Sequence, residues 1–496
     1  MPVEGSSNHA PEATSSGLVE MAKIALPTVA TMTSYTVMTF ADKWLVSRIG
    51  PDPIYVGAQG NGGLASWVAI SIAHGTLMVI NTYVAQNLGA GKAREGPAYA
   101  WNGMWLGLLY WLVILIPYGF FLPSIFRFAK MDQQQAALAS EYGMILLFGA
   151  GLTLATRAVG QFFYGMHQAS VVMVAGFAAN LVNLFLSAVL VFGPNAPDSL
   201  GWLGASAAAV ARAIGVDAMG VKGSAIGTVI ATAVELAIPL AVFLGKKLND
   251  QLGTRAAWRP SKPHLRDLLR IGWPSGLMFG NEMVCWGFFM VYLVSHYGKE
   301  HATAGWIAHQ YMSLSFMPAV GISVACTAIV GKYIGMDRPD LAERRAWLGV
   351  RIACVYMGLC GLAFVVFRHQ LVGFFVPDDT PPPAMERLVE LGSAMLIATA
   401  AFQLFDAIAM VLSGSLRGAG DTIFPGVMTV IAAWTVIVGG GFAMMHLFPR
   451  LESIGAWIAA GAYIVTLCAV LLLRFLAGHW KSIRLVRSDP KQSPVA

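Results

Sequence analysis

Apolar residues run along this chain in blocks of about twenty or more, separated by short polar stretches, instead of the alternation or one-sided stripe of a water-exposed fold. Ile24 to Val46 and Leu388 to Leu412 are two such blocks. A helix needs ~20 residues at ~1.5 Å each to cross a hydrocarbon core of ~30 Å, so each block predicts a spanning helix. The breaks predict twelve, over 24–46, 55–86, 98–121, 138–163, 169–192, 222–244, 272–296, 303–331, 346–367, 388–413, 423–447 and 454–477. The longest must tilt, kink or run past the bilayer. The expected fold class is an all-α integral membrane protein.

Composition agrees, with 56% hydrophobic and only 12% charged residues, about half the charged share of a soluble domain. The polar stretch Met1 to Gly17 lacks a basic start and a cleavage-type site, so no cleaved signal peptide is expected and the first span is retained. Cys285, Cys326, Cys354, Cys360 and Cys468 all fall inside apolar runs without metal or disulfide spacing, and read as small core residues.

The net charge of +6 does not point to nucleic acid, because its placement is one-sided. With both termini on one side, that side collects nineteen Lys and Arg residues from tails and loops and the other side nine. This is the positive-inside pattern, and it predicts an even number of spans with both ends cytoplasmic. A bacterial cytoplasmic (inner) membrane is the expected location.

Internal similarity divides the chain. Leu45, Val46, Ser47 and Gly50 recur as Leu293, Val294, Ser295 and Gly298, at an interval of 248, while Pro27 recurs as Pro274, at 247. Val84 to Gly89 with Lys92 resembles Val330 to Gly335 with Arg338, at 246. The expected organisation is a polar tail (1–23), an N-lobe of six spans (24–245), a cytoplasmic linker (246–271), a C-lobe of six spans (272–478) and a second tail (479–496). Six spans per half give both copies one orientation and a pseudo-symmetry axis along the membrane normal. Such lobes can rock about a central cavity, which predicts alternating access. Between the fifth and sixth spans the N-half carries a long loop, Pro194 to Gly220, whose Ala-rich Gly204 to Ile214 predicts a short external helix.

An acid at the centre of a span costs ~2.5–3.5 kcal/mol on insertion scales, so each needs a reason. The candidates are Asp42, Glu235, Glu282 and Asp406. Asp42 falls in the outer part of the first span, where it either reaches the interface beside Lys43 or faces the bundle. Glu282, eight residues after Pro274, and Asp406 fall at similar depth in the second half without a basic neighbour in their own spans. They serve either as interhelical hydrogen-bond partners or as a cation site. Glu235 has no counterpart in the second half and its role stays open. Desolvation makes a carboxyl group hold its proton more tightly, so it can carry one near neutral pH and release it when a cation arrives. With carbonyl or amide oxygens the same acids could hold Na⁺. Cavity-lining polar candidates are Asn180, Asn183 and Gln310, with His309 and Gln403 also in spans; aromatic candidates for a flat lipophilic cation are Tyr35, Trp286 and Phe402. No phosphate-binding Gly loop, metal-spaced His/Cys cluster or nucleophile elbow stands in the chain, so no cofactor is expected and an ion gradient is the expected energy source.

At these residues the chain resembles the multidrug and toxic compound extrusion (MATE) family, most closely its NorM-like branch, over nearly all of Ile24 to Phe475. Pro27 followed by Phe40-Ala41-Asp42 is similar to the family's first-helix pattern, and Val84 to Gly91 to its second-helix exit. Pro274-Ser275-Gly276-Leu277-Met278 ending at Glu282 resembles the seventh-helix pattern. Asp406-Ala407 leading to Leu416-Arg417-Gly418-Ala419-Gly420-Asp421-Thr422 resembles the tenth-helix acid and the turn after it. The resemblance implies twelve helices in two pseudo-symmetric six-helix bundles forming a V, and export of organic, often cationic compounds in exchange for Na⁺ or H⁺. It implies Asp42 as the N-lobe acid, for proton or substrate, and Glu282 and Asp406 as the cation-coupling pair, with Na⁺ one candidate occupant. Asn180 and Asn183 match polar positions of the fifth helix. The sequence departs from the family at Tyr164 to Ala169 and in the longer Pro194 to Gly220 loop.

The expected partners are small-molecule substrates, organic cations above all, and membrane lipids, with no nucleic acid and a monomeric chain. The alternative is a lipid or lipid-linked saccharide flippase, which calls for a basic cavity; the placed intramembrane charges are mainly acidic, with Arg157 and Arg351 as exceptions. An integral-membrane enzyme would need a catalytic constellation, and none is found.

Overall fold

Long apolar runs become long helices. The computed structural model describes residues 17–50, 52, 54–375 and 382–486, and the described residues contain helices and turns but no strand. Twelve helices cross the molecule: α1 (Gly17–Val46), α2 (Ile54–Gly89), α3 (Ala93–Phe128), α4 (Gln133–Gly165), α5 (Ala169–Phe192), α6 (Val221–Leu244), α7 (Lys262–Tyr297), α8 (Lys299–Gly335), α9 (Pro339–Val366), α10 (Met385–Ala419), α11 (Ile423–Leu447) and α12 (Pro449–Leu476). Eleven are long and apolar enough to span a membrane. In α1 the threonines at 28, 31, 33, 36 and 39 dilute the apolar character. Their hydroxyls are partly absorbed by the helix itself, Thr28 donating to the Ile24 carbonyl (3.0 Å) and Thr31 to that of Pro27 (2.7 Å), which removes much of the cost of burial. Mid-helix apolar residues face outward, Leu181 at 70% and Val355 at 66% exposure, as a lipid-facing surface requires. This is a multi-pass integral membrane protein.

Some helices outrun their apolar blocks. α7 starts at Lys262, not at 272, because Pro263 sits in its first turn and the polar residues Arg266, Asp267 and Arg270 continue the helix outside the apolar stretch. α10 continues past 413 to Ala419. The segment before α7 is docked rather than a free tether: Trp101 and Trp105 of α3 donate their indole N–H groups to the carbonyls of Thr254 (2.8 Å) and Trp258 (2.7 Å), and the Ser261 amide donates to Asn102 (2.7 Å). In the 194–220 loop a helix, Gly201–Ile214, packs Leu203, Ala207 and Ala211 against Leu45 and the end of α5, with Trp202 turned out at 81% exposure. After α12 the chain folds back, burying Trp480 completely.

The packing repeats. α1 on α5, α2 on α4, α3 on α4, α4 on α6 and α5 on α6 are matched by α7 on α11, α8 on α10, α9 on α10, α10 on α12 and α11 on α12. Helix ends repeat atom for atom. Gly91 and Lys92 donate to the carbonyls of Leu88 and Asn87, and Asp337 and Arg338 donate to those of Ile334 and Tyr333. Likewise His167 and Gln168 donate to Tyr164 and Phe163, as Gly420 and Asp421 do to Arg417 and Leu416. The residue interval between α1 and α7 grows from 247 at the prolines to 248 at Leu45 and Leu293. A π-helical turn over Phe289–Val294 explains it, since such a turn adds one residue to one copy.

The two groups of helices meet through α1 on α8, α2 on α7 and α2 on α8. The hydrogen bonds that join them lie toward the end where α1 begins and α12 finishes. Thr28 donates to the Gly321 carbonyl (2.8 Å), Thr82 to that of Arg417 (2.9 Å), and the Gln86 amide to those of Gly418 and Ala419 (3.1 Å each). Glu20 of α1 accepts from Tyr333 (2.9 Å) and Arg345 (2.8 Å). Glycines permit the approach: a Cβ on Gly335 would fall 2.9 Å from the Gln86 Cα, and one on Gly321 2.8 Å from the Val29 Cα. Beyond the Thr28–Gly321 contact no hydrogen bond among the described residues joins the halves.

Candidate functional site

In the second half, α7, α10 and α12 converge on two carboxyl groups. The Tyr463 hydroxyl donates to Glu282 at 3.2 Å and lies within electrostatic reach of Asp406, which in turn feels Glu282. Both acids are only partly buried. Among the described residues Asp406 makes no side-chain hydrogen bond and neither acid has a basic group within ion-pair distance. Arg417, buried against the Phe279 ring (5.9 Å), is the cation whose field reaches Glu282. Two carboxyl groups near one phenol, with no cation paired to them among the described residues, are chemically able to accept a proton or a small cation. Among the described residues no group of three or more His, Cys, Asp and Glu side chains is spaced to hold a metal ion.

In the first half Asp42 is buried, not at the interface. It accepts from Ser187 (3.4 Å) and Asn183 (3.5 Å), and Asn183 also donates to Thr228 (3.2 Å). Asp42 thus sits among neutral oxygens and amides of α5 and α6. The spacing Asn183, Ser187 puts both on one face of α5; Thr228 was not legible in sequence, because no spacing relates α6 to α1.

Glu235 belongs to a separate cluster. The Tyr35 hydroxyl donates to it, and the Arg157 guanidinium lies over the Tyr35 ring at 4.8 Å and donates to the same hydroxyl at 3.4 Å. Tyr35 is therefore engaged by polar partners, where its sequence position suggested a cavity aromatic only. Arg157 Nε is buried without a hydrogen-bond partner among the described residues.

The remaining candidates spread out. Asn180 Oδ1 is buried without a hydrogen-bond partner among the described residues. Gln310 is exposed. Trp286 packs edge-on against Phe289 (5.4 Å) and His309 (6.1 Å). Phe402, 2% exposed, belongs to the packed core and so does not line an opening. Gln403 donates to Ser315 at 2.8 Å. The Leu416 to Thr422 segment proves to be a junction: its carbonyls receive Thr82 and Gln86, Asp421 pairs with Arg474 (2.7 Å), and Thr422 donates to Ile271 (2.6 Å).

The pattern of the MatE family matches residues 27–189 and again 277–440, one copy on each half. Similar proteins include the probable multidrug resistance protein NorM of Burkholderia pseudomallei, 28% identical over 95% of each chain, and that of Thermotoga maritima, 26% identical over 93% of each. Among solved structures, a MATE protein in complex with MaL6 superposes with a TM-score of 0.81 at 20% identity, covering 94% of this chain and 98% of the other. A transporter of the MOP superfamily from Pyrococcus furiosus, described as having a binding pocket of reverse polarity, gives 0.81 at 20% over 94% and 97%. The eukaryotic MATE transporter AtDTX14 gives 0.78 at 16%, over 94% and 96%. With the duplicated pattern, the all-helical twelve-span fold and relatives matched over almost their full length, the chain belongs to the MatE family, NorM-like branch, and is a transporter rather than an enzyme.

Proposed function

We propose that this protein is a secondary active efflux antiporter, exporting lipophilic, often cationic organic compounds in exchange for Na⁺ or H⁺ by alternating access. The relatives' name, multidrug resistance protein, supplies the substrate class. The observation that carries the coupling is the Asp406 carboxylate, left without a hydrogen bond beside Glu282 and Tyr463. A group so placed has its charge answered by an incoming cation or proton. Occupation by that ion and by a cationic substrate are mutually opposed through like charge, which gives exchange. Asp42, in its own neutral polar nest, acts as a separate gating or substrate-side acid. The N-lobe and C-lobe rock about the α1, α2, α7 and α8 contacts, and the side closed here, where α1 begins and α12 finishes, is the cytoplasmic one, a reading supported by the excess of basic loops on that side.

The flippase alternative loses ground on one point: of the buried arginines, Arg157 is answered by Glu235 through Tyr35 and Arg417 lies in the field of Glu282, so neither is left over for a phosphate, while Arg351 is exposed on α9. The test is dye export from liposomes containing the purified chain, driven separately by a Na⁺ and by a pH gradient. Export under one gradient supports the reading. Export under neither rejects it.

A further inference from the structure

Two of the glutamate–tyrosine hydrogen bonds, Tyr463 to Glu282 and Tyr35 to Glu235, fall on equivalent helices. In the C half Glu282 of α7 is held by Tyr463 of α12, with Asp406 of α10 beside them. In the N half Glu235 of α6 is held by Tyr35 of α1, with Arg157 of α4 beside them. The repeat relates α1, α4 and α6 to α7, α10 and α12. Pro27 and Pro274 put Tyr35 in register with Glu282. The matched hydrogen bonds at His167 and Gly420 put Arg157 in register with Met410, one helical turn from Asp406 on the same face. Close contacts set α6 against α12: the Gly223 Cβ position meets Leu190 and Val191 of α5, and that of Gly455 meets Met444 of α11. Glu235 then matches Leu467, one turn from Tyr463. Acid and phenol have exchanged helices, and both partners on the inward-running helices have moved by the same turn.

The charges differ in one respect. The C-half cluster holds two acids, and the N-half cluster one acid and one guanidinium. Arg157 does not reach Glu235 within ion-pair distance; its guanidinium lies on the Tyr35 ring and its charge acts on Glu235 across the bridging hydroxyl. A planar cation on a ring face beside a carboxylate–phenol pair is how such a cluster would hold a free monovalent cation.

We infer that Tyr35, Arg157 and Glu235 form a second cation site, the N-half counterpart of the Glu282–Asp406–Tyr463 site, kept occupied by the Arg157 guanidinium, so that Arg157 confines ion exchange to the C half. The word counterpart rests on the coupling role proposed above; the latent site itself does not. Removing the tethered cation leaves a carboxylate and a phenol facing the space it filled, which a monovalent cation of guanidinium size or smaller then enters.

The experiment uses the full chain in detergent, in an E282Q/D406N background that silences the C-half acids, and follows thermal unfolding against millimolar Na⁺, K⁺ or guanidinium with choline as balance. R157A should gain a saturable midpoint rise of several degrees with at least one of these ions. R157K, which keeps a tethered cation, should gain none, and adding E235Q to R157A should remove the gain. No gain in R157A, a gain that survives E235Q, or a gain in R157K overturns the inference. If R157A cannot be purified, M410R in the otherwise unaltered chain decides. An arginine at the counterpart position must abolish the cation-dependent midpoint shift that depends on Glu282, and its persistence overturns the inference. Failure of the coupling proposal itself would appear elsewhere, as the absence of any Glu282-dependent cation response in the unmodified protein.

Discussion

Gln86 offers the sharpest test of how the closed side is held. Its side chain, fully buried, donates to the carbonyls of Gly418 and Ala419 at 3.1 Å each and accepts from the Leu485 amide at 3.2 Å, tying α2 to the end of α10 and to the segment after α12. Gln86→Ala deletes all three bonds. Interhelical hydrogen bonds in membranes average ~0.6 kcal/mol, so the closed side loses about 2 kcal/mol relative to a state in which these groups are hydrated. At 1.4 kcal/mol per tenfold, that moves the equilibrium about 30-fold toward opening of the terminal side. Spin labels at Lys92 and Arg338, which follow the ends of α2 and α8, read the change by double electron–electron resonance. A second, longer distance should appear in Q86A and be minor in the parent. An unchanged distance distribution, in a variant that folds and binds substrate normally, would refute the claim that this clamp sets the balance.

Other changes follow from single contacts. Tyr463→Phe removes the 3.2 Å bond to Glu282, about 1 kcal/mol, and should lower ion-driven export at subsaturating cation about fivefold; equal export curves would remove Tyr463 from the site. Asp42→Asn keeps a side chain that bonds within the Asn183, Ser187 and Thr228 nest, so the unfolding midpoint should fall by only a few degrees while export drops at least tenfold; full export in this variant would leave Asp42 a structural acid. Trp480→Ala empties a fully buried position stacked on Phe475 at 4.8 Å, for which about 3–5 kcal/mol is lost. Its thermal midpoint in detergent should drop clearly, and an unchanged midpoint would show that the folded-back segment is not part of the stable core.

Much of the frame is legible in the sequence because a bilayer accepts only long apolar helices, and α5, α6 and α11 lie within two residues of the blocks that announce them. The polar start of α7 is not, since hydropathy follows lipid contact and the Lys262 to Ile271 turns expose Arg266 and Arg270 and bond Asp267 to Tyr99. The shift of the repeat interval from 247 to 248 is visible in the letters, but its cause, the π-helical turn at Phe289–Val294, appears only in the backbone. The acids could be picked out because each is costly where it stands. Their partners could not: nothing in one dimension says that Tyr463 meets Glu282, that Thr228 joins the Asp42 nest, or that Tyr35 and Arg157 surround Glu235. Phe402 shows the converse error, an aromatic near an acid in sequence that packs into the core instead of lining a cavity. Gln86 sits in a motif that reads as a helix exit, and only the packing makes it a clamp.

Coupling through Glu282 and Asp406 is tested most directly by running the exchange backward. Liposomes containing the purified chain are given a gradient of organic cation and no ion gradient, and Na⁺ and H⁺ movements are recorded with entrapped indicators. The unmodified protein should drive one of these ions against the direction of substrate flow, and E282Q and D406N should pass neither ion in step with substrate. Substrate flow without any counter-ion in the parent, or full ion movement in both variants, would contradict the account.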